Sequence, residues 1–192
     1  MSNNKTNKDA EEEHYYTLEE AITLYNKIDK PDLTLDELVL LVLGLLDKPI
    51  NGRVVLHKEI FLLYKELSNK GIKIVNPKFV KYKYGPFSFH IALVIEYLAE
   101  DKFINIKNRQ RTKLTRYELT TKGRKWANKI IDDLEKRLGK DYINNLRELR
   151  KGWDQLGHEG ILRYVYQNYP DYLEKSVRKR DFIHIDWGVL EA

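Results

Sequence analysis

The sequence predicts a mainly α, α+β domain, and three observations predict it. Apolar residues recur at helical spacing through most of the chain. A tyrosine-rich turn, Tyr82-Lys83-Tyr84-Gly85-Pro86-Phe87-Ser88, leads into an apolar-periodic helix from Phe89 to about Glu100. Two short β-like runs follow, Phe103–Ile106 and Thr115–Leu119, joined by a basic loop from Lys107 to Lys113. Three helices followed by strand, basic tip and strand is the order of a winged helix-turn-helix. The fold expected is therefore an elaborated winged helix-turn-helix with a two-stranded basic wing and extra N- and C-terminal helices.

The elements follow in order. Residues 1–16 are polar and acidic and read as a flexible N-terminus. Thr17-Leu18-Glu19-Glu20 is a capping box and opens an N-terminal helix assigned to 17–33, with Pro31 as its stop signal. Thr34-Leu35-Asp36-Glu37 is a second capping box. It opens a helix to Leu46 that is apolar all round, as central helices are. After the turn Asp47–Gly52, a third helix runs from about Arg53 to Ser68, with Leu56, Ile60, Leu63, Tyr64 and Leu67 as its buried stripe. Gly71 ends it, and Ile72–Val75 reads as a short extended piece. Gly85-Pro86 punctuates the chain, and Ser88 is placed to cap the next helix. That helix buries Ile91, Val94, Ile95 and Leu98, and in the return strand Tyr117 and Leu119 alternate with Arg116 and Glu118. Residues 34–121 thus form the winged-helix core.

The remainder, 122–192, reads as a helical extension packed on that core. Thr121-Lys122-Gly123 opens a basic helix with Trp126, Ile130, Ile131 and Leu134 facing inward, ended by Gly139. A further helix spans Asp141 to about Leu156, Gly157–Gly160 breaks it, and Ile161–Tyr169 is a short aromatic helix stopped by Pro170. Phe182–Trp187 alternates like an edge strand.

Composition narrows the function. With 42% hydrophobic and 33% charged residues the chain is globular. No apolar run approaches the roughly 20 residues of a membrane helix, and the first residues lack the apolar core of a signal peptide. There is no Cys, which fits a reducing interior, so a cytoplasmic protein is expected. Abundant Lys, Glu, Ile and Tyr lean towards a heat-adapted source. The net charge of +5 is uneven. Five Lys and no Arg face eleven Asp and Glu up to Asn51, whereas Lys102–Lys129 holds ten Lys and Arg against Glu118 alone.

Enzymatic chemistry has no foothold. His14, His57, His90, His158 and His184 are scattered, without a His-x-x-x-His pair, and His158-Glu159 lacks a second His. His184 and Asp186 share one face of the expected edge strand, yet two ligands do not make a metal site. No glycine loop of the phosphate-cradling kind is present. No catalytic residue, metal site or cofactor is therefore expected.

Two contact surfaces remain. Lys107, Arg109, Arg111, Lys113 and Arg116 on the wing, Lys122, Arg124 and Lys125 on the next helix, and Lys81 and Lys83 before the Gly-Pro turn could hold backbone phosphates of double-stranded DNA. The same charges also read as a solvated basic face. The helix that would enter the groove exposes Phe89, His90, Ala92, Leu93, Glu96 and Tyr97, almost nothing that reads base edges. Phe89, Leu93 and Tyr97, at i, i+4 and i+8, form an apolar stripe that suits a protein partner or a homodimer. An extra helix, Ile161–Tyr169 or the N-terminal one, could instead cover it. Tyr82 and Tyr84 are expected to pack under the turn; the alternative is a surface on which nucleic-acid bases stack.

Several local patterns resemble the Panacea (SocA-like antitoxin) and YwgA-like group. They are Ile50-Asn51-Gly52-Arg53 with Leu56, Lys58, Phe61 and Leu62; the Tyr82–Ser88 turn; Tyr117-Glu118-Leu119-Thr120-Thr121-Lys122-Gly123; and Tyr164–Pro170 followed by Ser176. The resemblance covers roughly Leu35–Ser176, with Phe87 where the group often has Tyr. It implies a winged-helix-like fold and, in the antitoxin manner, a partner protein such as a toxin; it supplies no catalytic residues. The function expected is DNA association by a non-enzymatic, dimeric transcriptional regulator. The alternative is a module that neutralises or scaffolds a partner protein.

Overall fold

The computed structural model describes residues 17–20, 30–111 and 113–183, and it divides into a unit Met1–Lys30 and a unit Pro31–Ala192. In the first unit the capping box forms: the Glu20 amide donates to Thr17 Oγ1 at 3.2 Å, and the Thr17 amide to the Glu20 carboxylate at 2.9 Å. The rest of the expected N-terminal helix up to Asp29 lies outside the described residues. Pro31–Leu33, in the second unit, is not helical.

The second unit is built on α1 (Leu35–Gly44). Thr34 and Glu37 cap it reciprocally, and Leu38, Val39, Leu40, Leu41, Val42 and Leu43 are all buried. A helix apolar on every side needs neighbours on every side. Those neighbours are α2 (Arg53–Asn69), α3 (Phe89–Glu100) and α4 (Thr121–Leu138). At the α1–α4 contact a Cβ on Gly44 would meet the Ala127 Cβ at 2.5 Å, so glycine is what permits that approach.

β1 (Ile50–Asn51) precedes α2 and pairs with β5 (Arg116–Leu119); β5 pairs with β4 (Ile104–Lys107), giving an antiparallel sheet of order β1-β5-β4. The register sets Ile50 and Ile106 opposite Tyr117, and Ile104 opposite Leu119. Inward residues of all three strands therefore meet the core. A separate hairpin, β2 (Val80–Tyr82) with β3 (Gly85–Phe87), carries the Gly-Pro turn. Ser88 Oγ then accepts from the Ile91 amide at 3.0 Å and starts α3.

Thr120 joins sheet to helix. Its amide donates to the Phe103 carbonyl at 2.9 Å, and its hydroxyl accepts from the Gly123 amide at 3.1 Å. A Cβ on Gly123 would lie 2.0 Å from the Phe103 carbonyl oxygen, so only glycine lets α4 leave the sheet at this angle.

α5 (Lys140–Asn168) packs on α2. The break expected at Gly157–Gly160 is a kink, because only Gly157 (φ 60°, ψ −165°) leaves helical geometry. A 3-10 turn, Pro170–Leu173, and α6 (Lys179–Ile183) follow. Phe182 and Ile183 end a helix rather than opening an edge strand, and residues 184–187 lie outside the described residues. Trp126 also departs from the expectation. It is 46% exposed, although Ile130, Ile131 and Leu134 on its side of α4 are buried. Among the described residues no helix is long and apolar enough to cross a membrane.

Charged residues also enter the core. Arg150 of α5 and Glu59 of α2 are both fully buried, with Arg150 Nε 2.8 Å from Glu59 Oε2 and 3.2 Å from the Val42 carbonyl oxygen. Lys58, 2% exposed, donates to the Pro86 carbonyl at 2.7 Å and so ties the Gly-Pro turn to α2. Burial lowers its amine to about 7.

Candidate interaction surface

The β4–β5 hairpin carries five of the ten cations named from sequence. Its loop closes on itself: Asn108, at φ 56°, donates through Nδ2 to the Leu114 carbonyl, and the Thr115 hydroxyl donates to the Arg111 carbonyl at 3.1 Å. A fixed loop aims its side chains, and most of them are aimed at the protein's own acids. Lys107 and Arg116 share Glu118, at 2.6 and 3.1 Å. Arg109 pairs with Glu96 of α3. Arg124 pairs with Asp47 at 2.6 Å. Lys122 donates to the Asp101 carbonyl at 2.9 Å and sits 3.8 Å from the centre of the Phe103 ring. Lys81 pairs with Glu174.

The titrations reflect the pairing. Lys107 and then Arg116 hold the Glu118 carboxyl below its ordinary value, Asp47 raises the Arg124 guanidinium, and Glu174 raises the Lys81 amine. These pairs lie at the surface and add little to stability. Their effect on a polyanion is larger. A phosphate that displaced Lys107 or Arg109 would leave Glu118 or Glu96 beside it. Lys122 has no carboxylate partner but is held by the Asp101 carbonyl and the Phe103 ring; Lys83, Arg111, Lys113 and Lys125 have neither kind of contact among the described residues. They are four of the ten cations named from sequence, and they stand on different elements: Lys83 in the β2–β3 turn, Arg111 and Lys113 in the hairpin loop, Lys125 on α4.

Among the described residues of the second unit nothing covers the apolar stripe, and the N-terminal helix named as a possible cover lies mostly outside the described residues. Phe89 and Leu93 are each 56% exposed and Tyr97 is 62% exposed, while Ile91, Ile95 and Leu98 on the other side of α3 are buried. The helical segment Ile161–Tyr169 does not cover the stripe; Tyr169 packs instead on Phe61 of α2, ring centres 4.8 Å apart. Tyr82 and Tyr84 do not pack under the turn either: both are exposed, and the Tyr82 ring leans on Phe87 and Phe89 at 5.2 and 5.8 Å. The apolar face thus runs from the β2–β3 hairpin along α3.

A cavity flanks α3 on each side. One, of about 330 Å³, lies between α3, α1 and α4, with Val94, Tyr97, Phe103 and Trp126 in its wall and Asp36, Glu37 and Asp101 as its charged groups. The other, also about 330 Å³, lies between α3, α2 and β5. Its wall includes Arg53, His57, Phe87, Leu93, Glu96 and Tyr117. His57 is 2% exposed and stacks on Phe87 at 4.4 Å, and its Nδ1 has no hydrogen-bond partner. Burial pushes the imidazole down to about 3, so the ring is neutral. Neither cavity was anticipated from sequence. The exposed stripe was, through the i, i+4, i+8 spacing of Phe89, Leu93 and Tyr97.

Among the described residues no group of three His, Asp or Glu is placed to hold a metal ion. In comparisons with known proteins, no family model, curated protein or solved structure matches the chain.

Proposed function

We propose that the chain is a non-enzymatic module of winged-helix type that binds a partner protein through the outer face of α3. The order α1-β1-α2-α3-β4-β5 with sheet order β1-β5-β4 supports the winged-helix reading, in which α3 is the helix that DNA-binding relatives of the fold insert into the major groove. Here that helix offers Phe89, Leu93 and Tyr97 to solvent, with Glu96 and Glu100 as its acids. That is a poor set for base edges beside phosphates and a good set for a protein surface, where buried aromatic anchors carry the binding energy.

The observation that carries the reading is the exposure of all three stripe residues on one helix face. The resemblance to the Panacea and YwgA-like group points the same way, towards a partner neutralised or scaffolded in the antitoxin manner.

A second reading, association with double-stranded DNA through backbone phosphates, rests on Lys83, Arg111, Lys113 and Lys125. Titration of duplex DNA against salt separates the two. With four free cations the log–log slope is no steeper than about −3.6, at about 0.9 per phosphate contact. A slope approaching −9, as ten contacts require, would favour the DNA reading and a regulatory role. Arg111→Ala with Lys113→Ala leaves partner binding intact on the first reading and, on the second, weakens DNA binding and flattens the slope by about 1.8.

A further inference from the structure

We propose that the cavity between α2, α3 and β5 is a binding site for a carboxylate carried on an aromatic or branched apolar body. The cavity is built as such a site is built. Its volume, about 330 Å³, lies at the low end for ligand pockets and suits one ring or branched side chain. The wall is mostly apolar, with the stacked His57–Phe87 rings on one side and Leu93 at the rim.

Its charged groups are unbalanced, and the cation, Arg53, is exposed at the helix start. Glu96 is neutralised by Arg109, whereas Arg53 has no carboxylate partner among the described residues. The Arg53 guanidinium lies beside the Tyr117 hydroxyl, where it opposes the rise that burial causes. His57, 2% exposed, contributes its ring to the wall. A planar guanidinium with a hydroxyl at its side is the donor set that takes a carboxylate in a forked hydrogen bond.

The inference does not rest on the partner-binding reading. The cavity shares Phe89 and Leu93 with the stripe, but Arg53 and His57 lie outside the stripe, so loss of acid binding in Arg53→Gln and loss of partner binding in Leu93→Arg are separate failures.

Nuclear magnetic resonance titration of the full chain tests it with phenylacetate and phenylacetamide. These probes share a ring and differ in charge. Phenylacetate should saturate, shift the Arg53 and His57 signals, and bind about tenfold tighter than the amide. Arg53→Gln should remove that preference while leaving the spectrum of a folded protein, and Arg53→Lys should keep part of it. The capped dipeptide acetyl-Glu-Phe-amide distinguishes the source. Binding at least as tight as phenylacetate assigns the site to an acidic protein segment, whereas binding by phenylacetate alone assigns it to a free acid. Equal affinity for acid and amide, or no saturation by phenylacetate, overturns the proposal.

Discussion

Arg109, in the loop of the β4–β5 hairpin, is ion-paired to Glu96 on the outer half of α3. The pair fastens the basic loop to the helix it stands over and withdraws one arginine from any approaching phosphate. Both partners are about half exposed, so the pair adds little to stability, at most about 1 kcal/mol. Glu96→Gln should therefore leave the melting temperature nearly unchanged. It should also steepen the salt dependence of whatever weak DNA binding exists by about 0.9, one contact's share. An unchanged slope would mean that Arg109 does not reach phosphate even when released.

The buried pair behaves differently. Arg150 and Glu59 have no access to water, and Arg150 Nε meets Glu59 Oε2 at 2.8 Å. Burial already raises the Glu59 carboxyl to about 8, so removing Arg150 leaves a buried carboxyl that must take a proton, and Asp154, 3.7 Å from Arg150 Nη1, loses a partner too. Arg150→Met alone should destabilise by about 3–5 kcal/mol, while Arg150→Met with Glu59→Leu should recover most of that loss. Urea unfolding of both variants checks it. Equal destabilisation in the single and the double variant would show that packing around α5, not charge, sets the cost.

Lys58 makes stability depend on pH in a defined window. Burial lowers its amine to about 7 from an ordinary 10.5. Between those values the unfolded chain holds a proton that the folded chain does not. Stability from this group therefore rises as pH goes from about 7 to 10.5 and falls away on acidification through that range. Lys58→Met should lose this slope relative to the parent, at some cost in ordering the Gly-Pro turn, whose Pro86 carbonyl Lys58 holds at 2.7 Å. Parallel pH-stability curves for the two proteins would rule out the burial argument.

Much of the scaffold could be read from local chemistry. The Thr34–Glu37 box, the Ser88 cap, the Gly139 stop and the hairpin strands, within about a residue, depend on neighbours in sequence. What depended on distant partners could not be read. Arg109 meets Glu96 across 13 residues and Arg124 meets Asp47 across 77, so a basic run counted along the chain becomes a set of ion pairs in space. Trp126 follows the inward stripe of α4 by spacing, yet it stands at the groove left between α1 and α3. Lys58 and Glu59 did carry a signal. They interrupt Val54–Leu63, a helix stretch otherwise apolar on nearly every side, and a charge there has no solvent-facing side to occupy.

The most direct measurement is photo-crosslinking in cells from a benzophenone amino acid placed at Leu93, with a second variant carrying it at Arg111, and mass spectrometry of the adducts. The account predicts that position 93 joins one protein at a defined peptide, and that this protein, once purified, binds the parent chain but not Leu93→Arg. Nucleic-acid adducts from both positions, or a purified partner that binds Leu93→Arg as tightly as the parent, would contradict it.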